Sequence, residues 1–419
     1  MIVRRVEKHK IKRKSEYYEL FEHFSINCNN LYNHANYVVK NKFKEEGVWT
    51  RYGELDKILK NDLEYNDYRT VGSTAVAQQC LRLLDKNWTS YFKALKDYKK
   101  HPDKYSGCPK MPSFRPKKDR NILIFTNVAA RLTKDGYIRF PKAYEHFTIK
   151  PNFLEDKNFV SYQQTRVIPR YNSFVVELVY TINIPDETKP DNDKYMAIDV
   201  GLNNLATIVT NVGLKPVAIN GKGIKSVNTR FNKEVGRIRS ELKTVDKANY
   251  SLAAENLILR RNNKIDDVFH KASRYIVNYA LEHDINTIIV GDAKGWKNTH
   301  EQSEHEQEQS IGTQIPFENF IHMIEYKAQT EGINVAVVDE TYTSGTSFLD
   351  NEEPIAENYD NSRRVTRGLF VSNNGTEINA DVNAAYQIMK KLVTSIDSSI
   401  VTEEMLHPTK INMVEYKVK

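Results

Sequence analysis

The sequence has few cysteines and no long apolar run. Cys28, Cys80 and Cys108 are widely spaced, odd in number and form no Cys-x-x-Cys pair. This pattern argues against a disulfide framework and against a structural zinc site, and it fits a reducing cytoplasm. No apolar run approaches the roughly 20 residues that span a bilayer, and the N-terminus is too short and too charged for a secretory signal. We therefore expect a cytoplasmic protein with no membrane partner.

Charge is distributed unevenly along the 419 residues, which are enough for two or three domains. Residues 1–190 contain 35 Lys and Arg against 22 Asp and Glu, a net charge of +13, and the remainder carries −6. A basic first half suits the binding of a polyanion, while the second half collects carboxylates. Two domains with different solvated surfaces would explain the same asymmetry.

Apolar periodicity predicts helices at about 17–43 and 73–98 in the first half. Strands are predicted after them, at 121–127, 136–140, 146–149, 162–168 and 173–184. Strands of this spacing suggest a small barrel, to which residues 1–16 can add an edge strand.

Residues 106–120 separate these helices from the strands. Three prolines and one glycine forbid a helix there. The segment has one aromatic residue and five basic ones, Lys110, Arg115, Lys117, Lys118 and Arg120. An extended basic ribbon that binds a phosphate backbone and a flexible linker are about equally good interpretations.

A different order of elements is predicted after residue 194. Strands are expected to Val200, at 205–210, 214–219, 287–290 and 333–339, and helices at 229–261, 266–282, 316–330 and from Asn379. The order βββ, α, β, α, β, α is that of an RNase H-like fold. His300–Gln309 is predicted to be a polar acidic loop. The chain as a whole is therefore expected to be an α+β multidomain protein.

Two carboxylates stand where regular elements meet loops in this second half. Asp199 lies at the exposed end of the apolar strand Tyr195–Val200. Asp381 lies at the start of the last helix, with Ala384, Ala385 and Ile388 at helical spacing. In an RNase H-like fold such positions converge and can share two Mg²⁺ ions about 4 Å apart. A third carboxylate is expected to complete the site.

An ordered set of motifs resembles the TnpB family, the RNA-guided nucleases of insertion sequences that are related to type V CRISPR effectors. The motifs run through most of the chain: Gly107–Phe114, Phe125–Asn127, Ile198–Gly201, Asp266–Ser273, Tyr342–Ser344 and Asn379–Ala385. Each is weak alone, but their order and spacing together are specific.

The resemblance implies a domain plan. Residues 1–16 would be the first strand of a β-barrel (wedge-like) domain, 17–105 an inserted helical recognition domain, and 106–193 the rest of the barrel with the basic ribbon. Residues 194–393 would be an RNase H-like (RuvC-type) nuclease domain and 394–419 a C-terminal tail.

The resemblance also implies an activity and partners. A transposon-derived guide RNA would pair with one strand of double-stranded DNA beside a short adjacent motif, and one RuvC-type site would cut both strands. Gln78 and Thr126 match the family's contacts to that motif; a buried polar helix face and a strand-end threonine are the plainer interpretations. The protein would be prokaryotic, and nucleoid-associated when bound to DNA.

The chain departs from the family pattern at its second catalytic residue. The usual glutamate would end the strand Ile288–Asp292, but Gly291 stands in its place, and Asp292 is expected to face away. Glu340 follows the next strand and is assigned as the third ligand, as in a branch with a relocated glutamate. The alternative is that Glu340 is a loop carboxylate and the site is broken.

A second departure is the missing zinc ribbon. No cysteine follows Cys108, so no zinc is expected. Arg363, Arg364 and Arg367 stand in this interval and are predicted either to hold the scissile strand through phosphate contacts or to form a solvated basic turn.

Two other functions compete with a magnesium-dependent RNA-guided endonuclease. A guide-dependent DNA-binding repressor would not need three carboxylates that repel one another without metal. An unguided RNase H-like resolvase would leave the basic first half unexplained.

Overall fold

The computed structural model describes residues 1–62, 64–245, 252–292 and 315–413. The chain divides into two compact units, Met1–Asn183 and Ile184–Lys419, close to the expected boundary between residues 193 and 194. The finer domain boundaries stay predictions. None of the described helices has an apolar segment long enough to cross a membrane. The acidic loop predicted at His300–Gln309 lies outside the described residues.

Helices form the middle of the first unit. They are α1 (Tyr18–Glu46), α2 (Tyr52–Asn61), α3 (Asp67–Thr70) and α4 (Thr74–Tyr98). The two long helices were predicted from their apolar stripes, and those stripes are buried, with Leu31 of α1 and Leu84 and Trp88 of α4 fully inaccessible to solvent. Gly47 ends α1 in the left-handed conformation (φ 70°), where a residue without a Cβ is favoured.

Strands from both ends of the first unit form its sheets. They are β1 (Ile2–Lys12), β2 (Leu123–Thr126), β3 (Arg131–Leu132), β4 (Ile138–Arg139), β5 (Thr148–Ile149), β6 (Phe159–Arg170) and β7 (Ser173–Asn183). β1 pairs antiparallel with β7 from end to end, in a sheet of order β1-β7-β6-β2. β3, β4 and β5 form a second sheet. The described strands thus form two separate sheets, and a closed barrel stays a prediction.

The second unit is built on one six-stranded sheet. Its elements are β8 (Tyr195–Asp199), β9 (Asn204–Thr210), β10 (Val217–Asn220), α5 (Lys222–Val245), α6 (Leu252–Glu282), β11 (Thr287–Asp292), α7 (Phe317–Thr330), β12 (Asn334–Asp339), β13 (Leu369–Val371), β14 (Glu377–Asn379), α8 (Ala380–Leu392) and β15 (Thr409–Ile411). The strand order is β12-β11-β8-β9-β10-β15. β8, β9 and β10 are antiparallel neighbours, while β11 and β12 run parallel to β8.

Both faces of this sheet are covered, which explains the unbroken apolar run of β8. Met196 and Ile198 face a core that includes Phe269 of α6 and Phe320 of α7. Ala197, between them, faces a second core to which α8 contributes several residues. Asp199 is therefore the first residue of β8 that leaves the buried layer.

Two predictions about this unit were wrong in detail. The helix break expected between 261 and 266 does not exist, because Ile265 continues a buried stripe with Phe269 while Asn263 is exposed on the opposite side. The described parts of these helices are Lys222–Val245 and Leu252–Glu282. The segment 394–419 is not merely a tail, because Thr409–Ile411 pairs parallel with β10.

Candidate active site

Asp381 owes its position to the start of α8. The Asn379 side chain accepts hydrogen bonds from the backbone N–H groups of Asp381 (3.1 Å) and Val382 (3.2 Å) and so caps the helix. Asp381 therefore lies in the first turn, where the helix dipole favours a negative charge.

Two side chains contact the Asp381 carboxylate. Asn204, the first residue of β9, donates from Nδ2 to Oδ2 at 2.8 Å, and Arg364 donates from Nη2 to Oδ1 at 3.3 Å. Asn204 was not predicted as a site residue. The signal available for it was its place in the turn directly after Asp199. Arg364 was predicted to bind phosphate, and the structure places its guanidinium group against the carboxylate cluster.

Asp199, Asp381 and Glu340 share one electrostatic environment. Burial raises the pKa of Asp199 well above its usual range, and the negative charges of Asp381 and then Glu340 raise it further. The positive charge of Arg364 acts in the opposite direction. The charges of both Asp381 and Glu340 thus act on Asp199, and the assignment of the three as one metal site stays a prediction.

Glu340 reaches this cluster through space that Gly291 leaves open. An ideal Cβ at position 291 would lie 3.4 Å from both Cδ and Oε2 of Glu340, and 2.8 Å from Cδ1 of Ile388. A side chain on β11 would therefore compete with the Glu340 carboxyl group for the same volume. Glu340 directly follows β12. It lies near the end of β11 because the two strands are parallel and Gly291 of β11 pairs with Val338 of β12.

The surroundings of Glu340 disfavour the ionised form of its carboxyl group. Its Oε1 atom is buried and accepts no hydrogen bond from the described residues. Burial, followed by the charges of Asp292 and Asp339, raises the pKa of Glu340 to about 7. Asp292 therefore lies close enough to Glu340 to influence it, whereas the charges that raise the pKa of Asp199 are those of Asp381 and Glu340.

The chemistry of this donor set suits a hard divalent cation, which prefers carboxylate oxygen ligands. A cation would offset the mutual repulsion and give Glu340 Oε1 a partner. Within the described ranges, however, no three Asp, Glu, His or Cys side chains stand close enough together to enclose a metal ion. The carboxylates would have to rotate toward one another to do so.

The basic ribbon of residues 106–120 is docked on α1, and so differs from a free linker. Asn29, Asn33 and Asn36, three to four residues apart on α1, donate to the backbone carbonyls of Pro116, Arg115 and Pro112, each at 3.0 Å. The Asn33 side chain also accepts from the Arg115 backbone N–H at 2.8 Å. These contacts fix the backbone of the ribbon. Among its basic residues, Lys110, Lys117 and Lys118 have exposed side chains.

The other predicted nucleic-acid contacts of the first unit are partly engaged within the protein. The guanidinium group of Arg115 lies over the Tyr32 ring at 4.7 Å. Arg120 donates to the Tyr18 hydroxyl group and to the Tyr171 carbonyl. Gln78 on α4 and Thr126 at the end of β2 are half-buried, and the Thr126 hydroxyl accepts from the Ala129 N–H at 3.3 Å.

Arg363 has a structural role, which revises its predicted one. Its guanidinium group forms a two-pronged ion pair with Glu352 (2.7 and 2.8 Å) and donates to the carbonyls of Gly345 (3.1 Å) and Asn358 (3.0 Å). The side chain is only 13% exposed, so it holds the loop together and is not offered to a phosphate. Arg367, in contrast, is exposed.

Two family models match the chain. Residues 173–297 match the model OrfB of IS605, described as a probable transposase, and residues 317–388 match the Cas12f1-like TNB domain. The first range contains Asp199, and the second contains Glu340 and Asp381. Each model covers less than half of the chain. Together the matches support the resemblance to the TnpB family seen in the motifs; the branch without a zinc ribbon stays a prediction.

Two curated relatives are similar over part of their length. The CRISPR-associated endodeoxyribonuclease Cas12f2 of Micrarchaeota archaeon (strain CG1_02_47_40) is 24% identical over 277 residues, covering 63% of this chain and 48% of that protein. The TnpB-like protein ORF457 of Acidianus two-tailed virus is 23% identical, covering 52% and 45%. The chain thus spans about half the length of the curated relatives that it matches.

Solved structures of low similarity were also found. A mini-RNA-guided endonuclease, CRISPR-Cas phi3, is 11% identical with a TM-score of 0.44, covering 95% of this chain and 93% of that one. A Cas12f1–sgRNA–target DNA complex is 15% identical with a TM-score of 0.36, covering 92% and 98%. Overlaps this weak carry no structural argument.

Proposed function

We propose that this protein is an RNA-guided DNA endonuclease whose second unit is an RNase H-like (RuvC-type) nuclease domain. The observation that carries the proposal is the position of Asp199 at the end of β8, where the charges of Asp381 and Glu340 act on it and where Asn204, directly after the turn that follows, donates a hydrogen bond to Asp381. The names of the curated relatives, an endodeoxyribonuclease and a TnpB-like protein, support the same activity.

The three carboxylates would hold two Mg²⁺ ions. Bound Mg²⁺ would activate a water molecule and stabilise the leaving oxygen of the phosphodiester. Asn204 and Arg364 would orient the Asp381 carboxylate through the contacts that they already make. Because burial and repulsion disfavour the ionised forms of Asp199 and Glu340, the site should bind divalent cations more tightly as the pH rises and these two groups lose their protons.

The first unit would bind a guide RNA and the DNA beside the target. Exposed lysines on the docked ribbon, Lys110, Lys117 and Lys118, would contact phosphates, and Gln78 and Thr126 would contact the adjacent motif. Guide RNA derived from a transposon and double-stranded target DNA are the partners that this reaction requires.

One observation favours a second candidate, a guide-dependent DNA-binding protein that does not cut. Arg364 occupies one oxygen of Asp381, and the carboxylates do not close around an ion within the described residues. Such a protein would bind guided DNA with a cluster held by arginine in place of metal.

Separate cutting and binding assays distinguish the two candidates. Asp199→Ala and Asp381→Ala should each abolish cutting and leave guide-directed DNA binding intact, because fewer ligands remain to hold both ions. Glu377→Ala, which removes an exposed carboxylate next to the same helix, is the matched control and should cut normally. Wild-type protein that binds guided DNA tightly but never cuts, at any Mg²⁺ concentration, would establish the second candidate.

A further inference from the structure

Two exposed tyrosines stand beside the carboxylate cluster and have no part in it. Tyr342 and Tyr359 are each 40% exposed, and their rings meet edge to face with centroids 5.8 Å apart and planes at 66°. We propose that this pair, here called the tyrosine platform, stacks an unpaired base of the DNA strand that enters the carboxylate site. The inference rests on the proposed function and adds a single-strand binding site to it.

The backbone at Tyr342 is held in an unfavourable conformation. Its φ of 71° lies in the left-handed region, which costs energy for any residue with a Cβ. Such strain persists where surrounding contacts impose it, and it concentrates at functional sites. Here the Tyr342 carbonyl accepts from Thr346 Oγ1 at 2.9 Å, and the neighbouring Thr343 donates from its N–H and its hydroxyl to the Glu340 carbonyl at 3.2 and 2.8 Å. The strained turn thus ties Tyr342 to Glu340.

Tyr359 is fixed by the absence of a side chain at Gly345. An ideal Cβ on Gly345 would lie 2.5 to 2.9 Å from three atoms of the Tyr359 ring. No side chain can stand there while the ring keeps its place, so the ring lies against the glycine backbone. The Asp360 N–H and the Arg363 guanidinium group both donate to the Gly345 carbonyl, at 3.0 and 3.1 Å, and lock the segment that carries Tyr359.

The platform is connected at both ends to the candidate active site. Tyr342 is two residues after Glu340, and Tyr359 is five residues before Arg364, which contacts Asp381. Exposed aromatic rings suit a single-stranded nucleic acid, because every base has a face that can stack on them. Duplex DNA keeps its bases stacked inside the helix, so the occupant must be an unpaired strand.

The test uses the full chain carrying Asp199→Ala and a single-stranded DNA oligonucleotide with 2-aminopurine at its centre. Stacking on tyrosine should quench the 2-aminopurine fluorescence. Tyr342→Ala and Tyr359→Ala should each remove the quenching and weaken binding roughly 5- to 100-fold, as loss of base–aromatic stacking does. Tyr342→Phe and Tyr359→Phe should retain both.

Gly345→Ala provides an independent test, because it keeps both rings and displaces Tyr359. It should reproduce the effect of Tyr359→Ala. Leu281→Ala, which shortens another exposed side chain of the second unit (37% exposed), is the control and should bind as the parent does. Thermal unfolding of every variant shows whether it has folded, and the Phe variants keep the test valid if an Ala variant has not.

An abasic oligonucleotide completes the experiment. The parent should bind it less tightly than the intact strand, and the tyrosine-to-alanine variants should bind the two equally. The tyrosine platform would be overturned if the abasic site weakened binding by the same factor in the parent and in the variants. It would also be overturned if the variants quenched 2-aminopurine as the parent does. Cutting by the guide-loaded wild type is measured separately: cutting without tyrosine-dependent stacking leaves the proposed function standing alone, and stacking without cutting leaves only the strand-binding site.

Discussion

Replacing Glu340 with Gln removes its charge and keeps its size, and should have opposite effects on stability and on activity. The ionised carboxyl group is buried, lies near Asp292 and Asp339 and leaves Oε1 without a hydrogen bond from the described residues. Without a cation this group opposes folding. With Mg²⁺ bound, it would be the third ligand. Glu340→Gln should therefore be a more stable protein that does not cut.

The size of the stability gain follows from the raised pKa of Glu340. Its ordinary value is 4.5 and its value in the folded protein is about 7. Between these values the folded chain holds a proton that the unfolded chain has released, so stability falls as the pH rises through this window. Each unit of difference between the two pKa values is worth about 1.4 kcal/mol. At pH 8 the ionised Glu340 therefore lowers the free energy of unfolding by roughly 3 kcal/mol, a cost that Gln does not have.

Thermal unfolding of the full chain in EDTA measures this gain. Glu340 lies in the second unit, Ile184–Lys419. For a domain of about 150 to 250 residues, roughly 3 kcal/mol corresponds to a rise in Tm of about 6 to 12 °C, which we expect for Glu340→Gln at pH 8. The gain should disappear as the pH falls below 4.5, where the wild-type group is protonated in both states. Added Mg²⁺ should stabilise the wild type more than the variant, because ligand binding to the folded state raises its stability.

Asp292→Asn is the matched control, because it removes one of the charges that raise the pKa of Glu340 without removing the ligand. It should give a smaller stability gain and retain cutting. Equal Tm values for wild type and Glu340→Gln in EDTA at pH 8 would refute the electrostatic reasoning. Wild-type cutting by Glu340→Gln, or loss of cutting only in Asp292→Asn, would show that the wrong carboxylate was assigned.

Two further predictions concern the rest of the chain. RNA binding should reside in the first unit and weaken steeply with salt, because each phosphate contact releases counterions; a fragment of residues 184–419 that bound guide RNA as well as the whole chain would contradict this. Arg363→Ala should lower the free energy of unfolding by about 3 kcal/mol, because it removes the only cation that forms a two-pronged ion pair with Glu352 among the described residues and leaves that carboxylate with the Ser347 N–H. Arg367→Ala, an exposed neighbour, should change it little, and equal effects in denaturant titrations would rule out the structural role of Arg363.

The positions of Asp199 and Asp381 could be predicted because local rules determine them. An apolar run buried on both faces must end where its first charged residue leaves the core, and Asn379 is a strong helix cap. The long helices of the first unit were readable for the same reason, since their apolar stripes are regular.

What the sequence did not reveal depends on contacts between distant residues. The strand Thr409–Ile411 is too short to show periodicity, and only its partner β10 makes it a strand. In the sequence nothing distinguishes Arg363 from Arg364 and Arg367. Its ion pair with Glu352, eleven residues earlier, is seen only in the structure. Asn29 and Asn33 stand at helical spacing in the sequence of α1. That they bind the backbone of residues 106–120 can be seen only in the structure.

The proposed role of Glu340 as the third ligand depends on the absence of a side chain at Gly291. A Cβ at position 291 would lie 2.8 Å from Cδ1 of Ile388 and 3.4 Å from Cδ and Oε2 of Glu340, so a longer side chain there would crowd the Glu340 carboxyl group. Gly291 pairs with Val338 in the parallel ladder of β11 and β12, and Glu340 follows two residues after Val338. On the proposed assignment, a carboxylate after β12 would reach the centre beside the end of β11 because β11 has no side chain at that position. Gly291 would then be part of the site although it contributes no ligand.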